Sequence, residues 1–259
     1  MSENAELKVI HEPRSVLVTG TNRGIGLGFV KKLTEFPNIR HIFAACRDPE
    51  NAQELKKIAD PRIQIIQLDV TNDVSIDSAV DNISKIVGSD GLTMLVNNAG
   101  ILIPYEFTSE VSREKIIEQY NLNSASPLIM IQKFLPLLEK SANLENGDQL
   151  STSRAAIVNI SSTSGSIQMI DGSFNGPLVL YRMSKSAMNS FAKSFSIEMR
   201  KTNILIASFC PGWVQTDMGG GNAELSVETA CNILVPNALR LDAGNHGQFI
   251  DRHLKVIPH

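Results

Sequence analysis

Short apolar runs alternate with helical stretches along nearly the whole chain, and this alternation limits the possible fold more than any other feature. The strand-like runs lie at 15–19, 41–46, 63–68, 93–96, 155–160 and 204–209, with a last one expected at 247–251. Between them, residues 25–36, 51–59, 73–87, 112–140, 181–200 and 227–241 read as helices. Strands alternating with helices make crossover units, and crossover units make a parallel sheet. Strands without polar alternation are covered on both faces. The expected fold is α/β: one Rossmann-type, doubly wound parallel sheet of about seven strands with helices on both faces. Residues 15–259 form this domain, and residues 1–14 are an N-terminal extension. The stretch 112–140 should bend or break near Pro127, and 227–241 should distort at Pro236. Polar residues make 142–153 and 170–177 surface loops.

Composition narrows the partners. The 259 residues are 42% hydrophobic and 20% charged, enough for a sizeable core. The net charge is −3 with no long basic run, so a nucleic-acid surface is not expected. No run of about 18 apolar residues exists, so no membrane helix is expected. The start, with Glu3, Glu6 and Glu12, lacks the basic and apolar parts of a signal peptide. Cys46, Cys210 and Cys231 are widely separated and read as free thiols, without metal-ligand spacing. The cytosol is the expected location.

The first strand runs into Thr19-Gly20-Thr21-Asn22-Arg23-Gly24-Ile25-Gly26. Gly20 suits a tight turn, Gly24 lets backbone amides approach a pyrophosphate, and Gly26 opens the helix, whose N-terminus favours anions. A glycine-rich strand–helix joint is the simpler alternative. Its place after the first strand of a βαβ series favours a dinucleotide. The tip of the second strand chooses which one. A carboxylate there would bind the ribose 2′-hydroxyl of NAD. This chain has Ala45-Cys46-Arg47-Asp48. Arg47, joined by Arg23, can pair with a 2′-phosphate through its planar fork, which favours NADPH. The alternative is a solvated Arg47 with Asp48 on the ribose.

With these segments the chain resembles the short-chain dehydrogenase/reductase family, and the resemblance covers nearly all of it. The motifs follow the family's order: the glycine loop, Asp69-Val70, Asn97-Asn98-Ala99-Gly100, Asn123, Ser161-Ser162-x2-Gly165, Tyr181-x3-Lys185, and Pro211-Gly212-Trp213-Val214-x-Thr216. The run from Gly212 to Gly220 is similar to the sniffer and C-factor type of carbonyl reductases. The resemblance implies cofactor contacts from Gly20, Asn22, Arg23, Gly24, Ile25, Gly26, Arg47, Asp69, Val70, Asn97, Ala99, Gly100, Tyr181, Lys185, Pro211, Gly212, Val214 and Thr216. It implies a catalytic set of Asn123, Ser162, Tyr181 and Lys185, and no metal.

Tyr181 and Lys185 are four residues apart and share one helix face. A free tyrosine titrates near 10, and a neighbouring ammonium lowers that value. In carbonyl reduction Tyr181 would donate a proton. Ser162 would hydrogen-bond the same oxygen. Lys185 would hold the nicotinamide ribose, and Asn123 a water leading from Lys185 to solvent. Taken singly, the Tyr-x3-Lys pair is an ordinary amphipathic helix face, and Ser161-Ser162 an ordinary strand cap.

The chain departs from the family between Gly165 and Tyr181, which is long. Met169, Ile170, Phe174, Pro177 and Leu178 should lie beside the substrate. The loop with Gly219-Gly220-Gly221 is short and flexible in composition, which suits an open site. Trp213 lines the pocket or packs on the next helix. His41, His246 and His259 show no partner spacing and read as surface residues. The expected activity is NADPH-dependent reduction of a ketone, quinone or aldehyde. The alternatives are an NAD-dependent alcohol dehydrogenase and a non-enzymatic NADPH sensor. The resemblance also implies a homodimer or homotetramer, with Ala187, Phe191, Phe195 and Met199 as either contact face or core.

Overall fold

In the computed structural model, which describes residues 9–105, 108–110, 112–170 and 178–259, the apolar runs form one sheet. Its strands are β1 (Ser15–Thr19), β2 (His41–Cys46), β3 (Ile63–Gln67), β4 (Met94–Asn97), β5 (Ala156–Ile160), β6 (Leu205–Cys210) and β7 (Phe249–Asp251). They pair in parallel in the order β3-β2-β1-β4-β5-β6-β7. The helices are α1 (Gly24–Leu33), α2 (Gln53–Lys56), α3 (Asp73–Val87), α4 (Arg113–Tyr120), α5 (Ser126–Ala142), α6 (Val179–Glu198) and α7 (Val227–Ala238).

The apolar strands are explained by two cores. On β1, Val16 and Val18 face one core, built with Phe29 and Leu33 of α1, Leu55 of α2 and Leu234 of α7. Leu17 faces the other, built with Ile76 and Ile83 of α3, Phe134 and Leu138 of α5, and Ala192 of α6. Every side chain of such a strand is buried, so polar alternation has no place in it. Of the stripe Ala187, Phe191, Phe195 and Met199, Met199 is buried in the second core, and Phe191 and Phe195 are partly buried against it.

The strand order reverses between β1 and β4, and such a switch point opens a crevice at the carboxyl ends of the strands. Both the glycine loop and Asn98-Ala99-Gly100 emerge there.

Several local expectations differ. α2 is a single turn, shorter than 51–59. The stretch 112–140 is divided by a π turn at Asn121–Ala125, just before Pro127. Pro236 stays within α7 without ending it. The second half of 142–153 is not all surface: Leu150, Ser151 and Thr152 are buried, as is Arg154 just after it. Thr152 Oγ1 donates to His11 O at 2.6 Å, and Arg154 Nε to Ala142 O at 2.9 Å. His246 is half-buried and links Ser196 O (2.6 Å) to Ile206 N (3.3 Å). His41 contacts Gln64 Nε2 at 3.1 Å. Most of these partners are distant in sequence, so spacing did not reveal them. Phe174 and Pro177 lie outside the described residues. The three cysteines are free and buried. No helix among the described residues is long and apolar enough to cross a membrane.

Candidate active site

Thr19 and Asn98 join the two sides of the crevice. Thr19 Oγ1 accepts the amides of Asn98 and Ala99, each at 3.0 Å. Asn98 Nδ2 donates back to Thr19 O at 2.8 Å. Gly26 must be glycine, because a Cβ there would run into Gly20 O and come within 2.6 Å of Asn98 Nδ2. The glycine loop therefore lies close against the Asn98 loop. α1 begins at Gly24 with no side-chain cap and no acidic residue in its first turn. α3, α4 and α7 are each capped by Asn72, Ser112 or Ser226. The first amides of α1 thus keep their capacity for an anion, in a cleft that Gly24, Ile25 and Gly26 line.

This cleft has a volume of about 820 Å³, within the range of small-molecule sites. A smaller hollow of about 230 Å³ adjoins it, lined by Asn22, Arg23, Arg47, Asp48 and Asn51. Asp48 is occupied there: Asn51 donates to it through its amide (3.2 Å) and Nδ2 (2.6 Å). Those bonds hold the Asp48 carboxyl below its usual range. Arg23 Nη1 reaches Asp217 Oδ2 at 3.1 Å across the cleft mouth, with side chains 70% and 74% exposed. Such an exposed pair contributes little and leaves Arg23 able to take another partner. Asp69 and Val70 also line the cleft.

The opposite end is built from β5 and α6. Ser161 turns inward and donates to Asn189 Oδ1 at 2.7 Å. Ser162 turns into the cleft, where its Oγ accepts Ser164 N–H at 3.1 Å and shares a hydrogen bond with Tyr181. Gly165 makes this closeness possible, since a Cβ there would lie 2.9 Å from both the Lys185 carbonyl carbon and Asn189 Nδ2. Lys185 Nζ donates to Ile160 O at 2.8 Å and sits 5.7 Å from the centre of the Tyr181 ring.

Burial pushes the Tyr181 phenol above its ordinary range, with the Cys210 thiol adding to the rise and the Ser162 bond opposing it. Burial thus outweighs the lowering expected from the neighbouring ammonium. Both groups are desolvated together, and desolvation penalises each charged form. A raised phenol stays protonated, which is the form a proton donor needs.

Burial pushes Lys185 down to about 8, with the Cys210 thiol opposing. In the unfolded chain a lysine titrates near 10.4, so between those values the unfolded state holds more protons and stability rises with pH. Below about 8 the burial cost is present in full. Lys185→Met should therefore stabilise the chain at pH 7, by roughly 1–3 kcal/mol, or about 3–8 °C in Tm. The gap to the wild type should narrow near pH 10. Thermal melts at both pH values test this, and an unchanged or lower Tm at pH 7 refutes it.

Asn123 sits in the π turn and is buried. Its Oδ1 accepts Ile101 N–H at 2.9 Å, while Nδ2 donates to Ile101 O (2.8 Å) and Ser184 Oγ (3.0 Å). Its side chain is spent on tying α6 to the loop after β4. Gln119, one turn earlier and unmarked in the sequence reading, donates to Ile101 O and accepts from Ile103 N, both at 2.6 Å. Its spacing from Asn123 was the one available signal. Asn97 does not line the cleft. Its side chain turns under α5 and donates to Asn159 Oδ1 at 2.9 Å, because strand alternation points it away from Asn98. All other residues read from the sequence as catalytic or cofactor contacts line the cleft, whereas Ile170, expected beside the substrate, is exposed and does not.

The segment after β6 is tied rather than slack. Trp213 Nε1 donates to Gly219 O at 2.8 Å, Gly219 N to Thr216 Oγ1 at 3.0 Å, and Gln215 Nε2 to Ala223 O at 2.9 Å. Trp213 lines the cleft and is 43% exposed. Met169, Leu178 and Met218 complete an apolar wall beyond Tyr181.

A dinucleotide-type crevice with a Ser–Tyr–Lys cluster at its end defines an oxidoreductase of the short-chain type. The chain matches the short chain dehydrogenase family over residues 14–225 and belongs to it. Sniffer of Caenorhabditis elegans is 45% identical, with a TM-score of 0.89 over 96% of this chain and 100% of that one. The NADPH-bound carbonyl reductase from chicken fatty liver is 38% identical, with a TM-score of 0.92 over 98% and 97%. An uncharacterized oxidoreductase of Schizosaccharomyces pombe is 31% identical over 220 residues, 84% of this chain and 80% of that protein.

Proposed function

We propose that this chain is an NADPH-dependent carbonyl reductase that converts a ketone, quinone or aldehyde into an alcohol. The observation that carries the reading is the meeting of Ser162, Tyr181 and Lys185 in one cleft with an uncapped helix N-terminus. An NADPH-bound relative of the same fold supports it. The amides of Gly24, Ile25 and Gly26 would hold the pyrophosphate, Arg47 and Arg23 the 2′-phosphate, and Asp69 and Val70 the adenine side. Pro211, Gly212, Val214 and Thr216 would lie against the nicotinamide.

NADPH bound there supplies a hydride from nicotinamide C4. Tyr181 donates its phenolic proton to the oxygen on which charge develops. Ser162 hydrogen-bonds that oxygen. Lys185 holds the ribose hydroxyls and places a positive charge below Tyr181. Pro127 has no amide to give to the Asn123 carbonyl four residues before it. In this reading that carbonyl holds a water that passes protons from solvent toward Lys185. An NAD-dependent alcohol dehydrogenase fits less well, because Asp48 is engaged by Asn51 and Arg47 follows the strand tip. A sensor has no need for the Ser162–Tyr181–Lys185 cluster.

The apolar wall of Met169, Leu178, Trp213 and Met218 favours flat apolar substrates. We place the protein in the cytosol as a homodimer or homotetramer, with exposed Ile117, Tyr120, Met183 and Ile197 available for contact. The test is loss of reduced-cofactor absorbance with NADPH, and separately NADH, against quinones, isatin-like diones and aromatic aldehydes. Turnover with NADPH is expected. Tight NADPH binding with no turnover would favour the sensor, and turnover with NADH alone would overturn the role given to Arg47.

A further inference from the structure

The chain turns back on itself after β7. Leu254 takes a left-handed conformation (φ 66°) at the reversal. Val256 pairs antiparallel with Ile250, Asp251 N donates to Lys255 O, and Ile257 N donates to Phe249 O, both at 2.8 Å. The return buries Ile257 against Phe249 and Cys210, a small cluster separate from the two main cores. The His259 ring then lies 5.9 Å from that of Phe249. Its main-chain carbonyl accepts the Gln168 amide at 3.1 Å.

Both ends of this cluster reach the catalytic side. Cys210 Sγ accepts Thr163 N–H at 3.2 Å, directly after Ser162. Gln168 directly precedes Met169, which lines the cleft. Apart from the single turn Thr163–Gly165, residues 162–170 belong to no helix or strand. Met169 N–H is held by Ser166 Oγ and Ile170 N–H by Ile167 O, each at 3.2 Å, so the segment's own bonds are local ones, which open easily. Gln168 obtains its fixed partner from a residue far along the chain.

We propose that the returning segment 255–259 is a positioning brace for the substrate wall. It holds residues 166–170 so that Met169 stays in the cleft, and it thereby sets affinity for the carbonyl substrate. The glycine loop and the hollow at Arg47, where the phosphates would sit, are built from β1, α1 and the end of β2 and not from this segment. The inference rests on the carbonyl reductase reading of the cleft.

The test compares the whole chain with a form ended at Ile257, which keeps the apolar cluster but removes the His259 carbonyl and ring. Gln168→Pro, which lacks the donating N–H, is the second variant. Two readouts are taken: amide hydrogen exchange across 166–170, and steady-state kinetics with NADPH titration. Exchange should quicken and KM should rise about fivefold, the scale of one backbone hydrogen bond, with kcat and NADPH affinity unchanged. Unchanged exchange in both variants overturns the brace, as does NADPH affinity falling in step with KM. If the wild-type chain binds NADPH but reduces no carbonyl, the reductase reading fails, while the exchange data still decide the brace.

Discussion

Tyr181→Phe should lower kcat by about 10²–10⁴-fold while leaving NADPH affinity unchanged. The substitution removes only the phenolic oxygen. The ring, which packs 5.7 Å from Lys185 Nζ, keeps its place. The remaining rate should come from positioning of hydride and carbonyl, with Ser162 still bonding the oxygen. The measurement is single-turnover reduction together with an independent NADPH titration by Trp213 fluorescence, which the chain's single tryptophan makes clean. Trp213 lines the same cleft, so binding should alter its emission. A variant that keeps most of its kcat would remove Tyr181 from the proton-transfer role. A variant that loses NADPH binding as well would point to misfolding of α6.

Arg47→Ala should weaken NADPH binding by about 10–100-fold and leave NADH within about twofold of its starting affinity. Hydrogen bonds to a charged group contribute roughly 1.5–3 kcal/mol, and each 1.4 kcal/mol is tenfold. The contrast between the two cofactors isolates the 2′-phosphate, since it is the only group by which they differ. Arg23 should show a smaller effect, because its guanidinium also has Asp217 as a partner. High salt should narrow the difference between NADPH and NADH, because the hollow around Arg47 is open to solvent and screened there. Equal losses for both cofactors would assign Arg47 a structural role instead.

The strands were legible because buried parallel strands leave a strong sequence trace. β1, β2 and β5 lie where their apolar runs do, and the glycine loop marks the carboxyl end of β1. Tyr181 and Lys185 were legible through their place in the ordered motifs that carry the family resemblance, since helix spacing puts them one turn apart but is ordinary by itself. Asn97 was misplaced because neighbouring asparagines at a strand end point to opposite sides. One enters the core and the other faces the cleft.

The amino-acid sequence by itself determined the alternating α/β order, the glycine loop after the first strand, the arginine after the second strand and the order of the candidate site motifs. These depend on residues close together in the chain, where periodicity and spacing are physically meaningful. Tertiary structure alone decided how Asn123 and Gln119 hold the loop after β4, and how burial moves Tyr181 and Lys185 in opposite directions. It also decided that His259 reaches Gln168. These features arise from backbone atoms and desolvation, contributed by segments far apart in the chain. Neither leaves a pattern in the order of side chains.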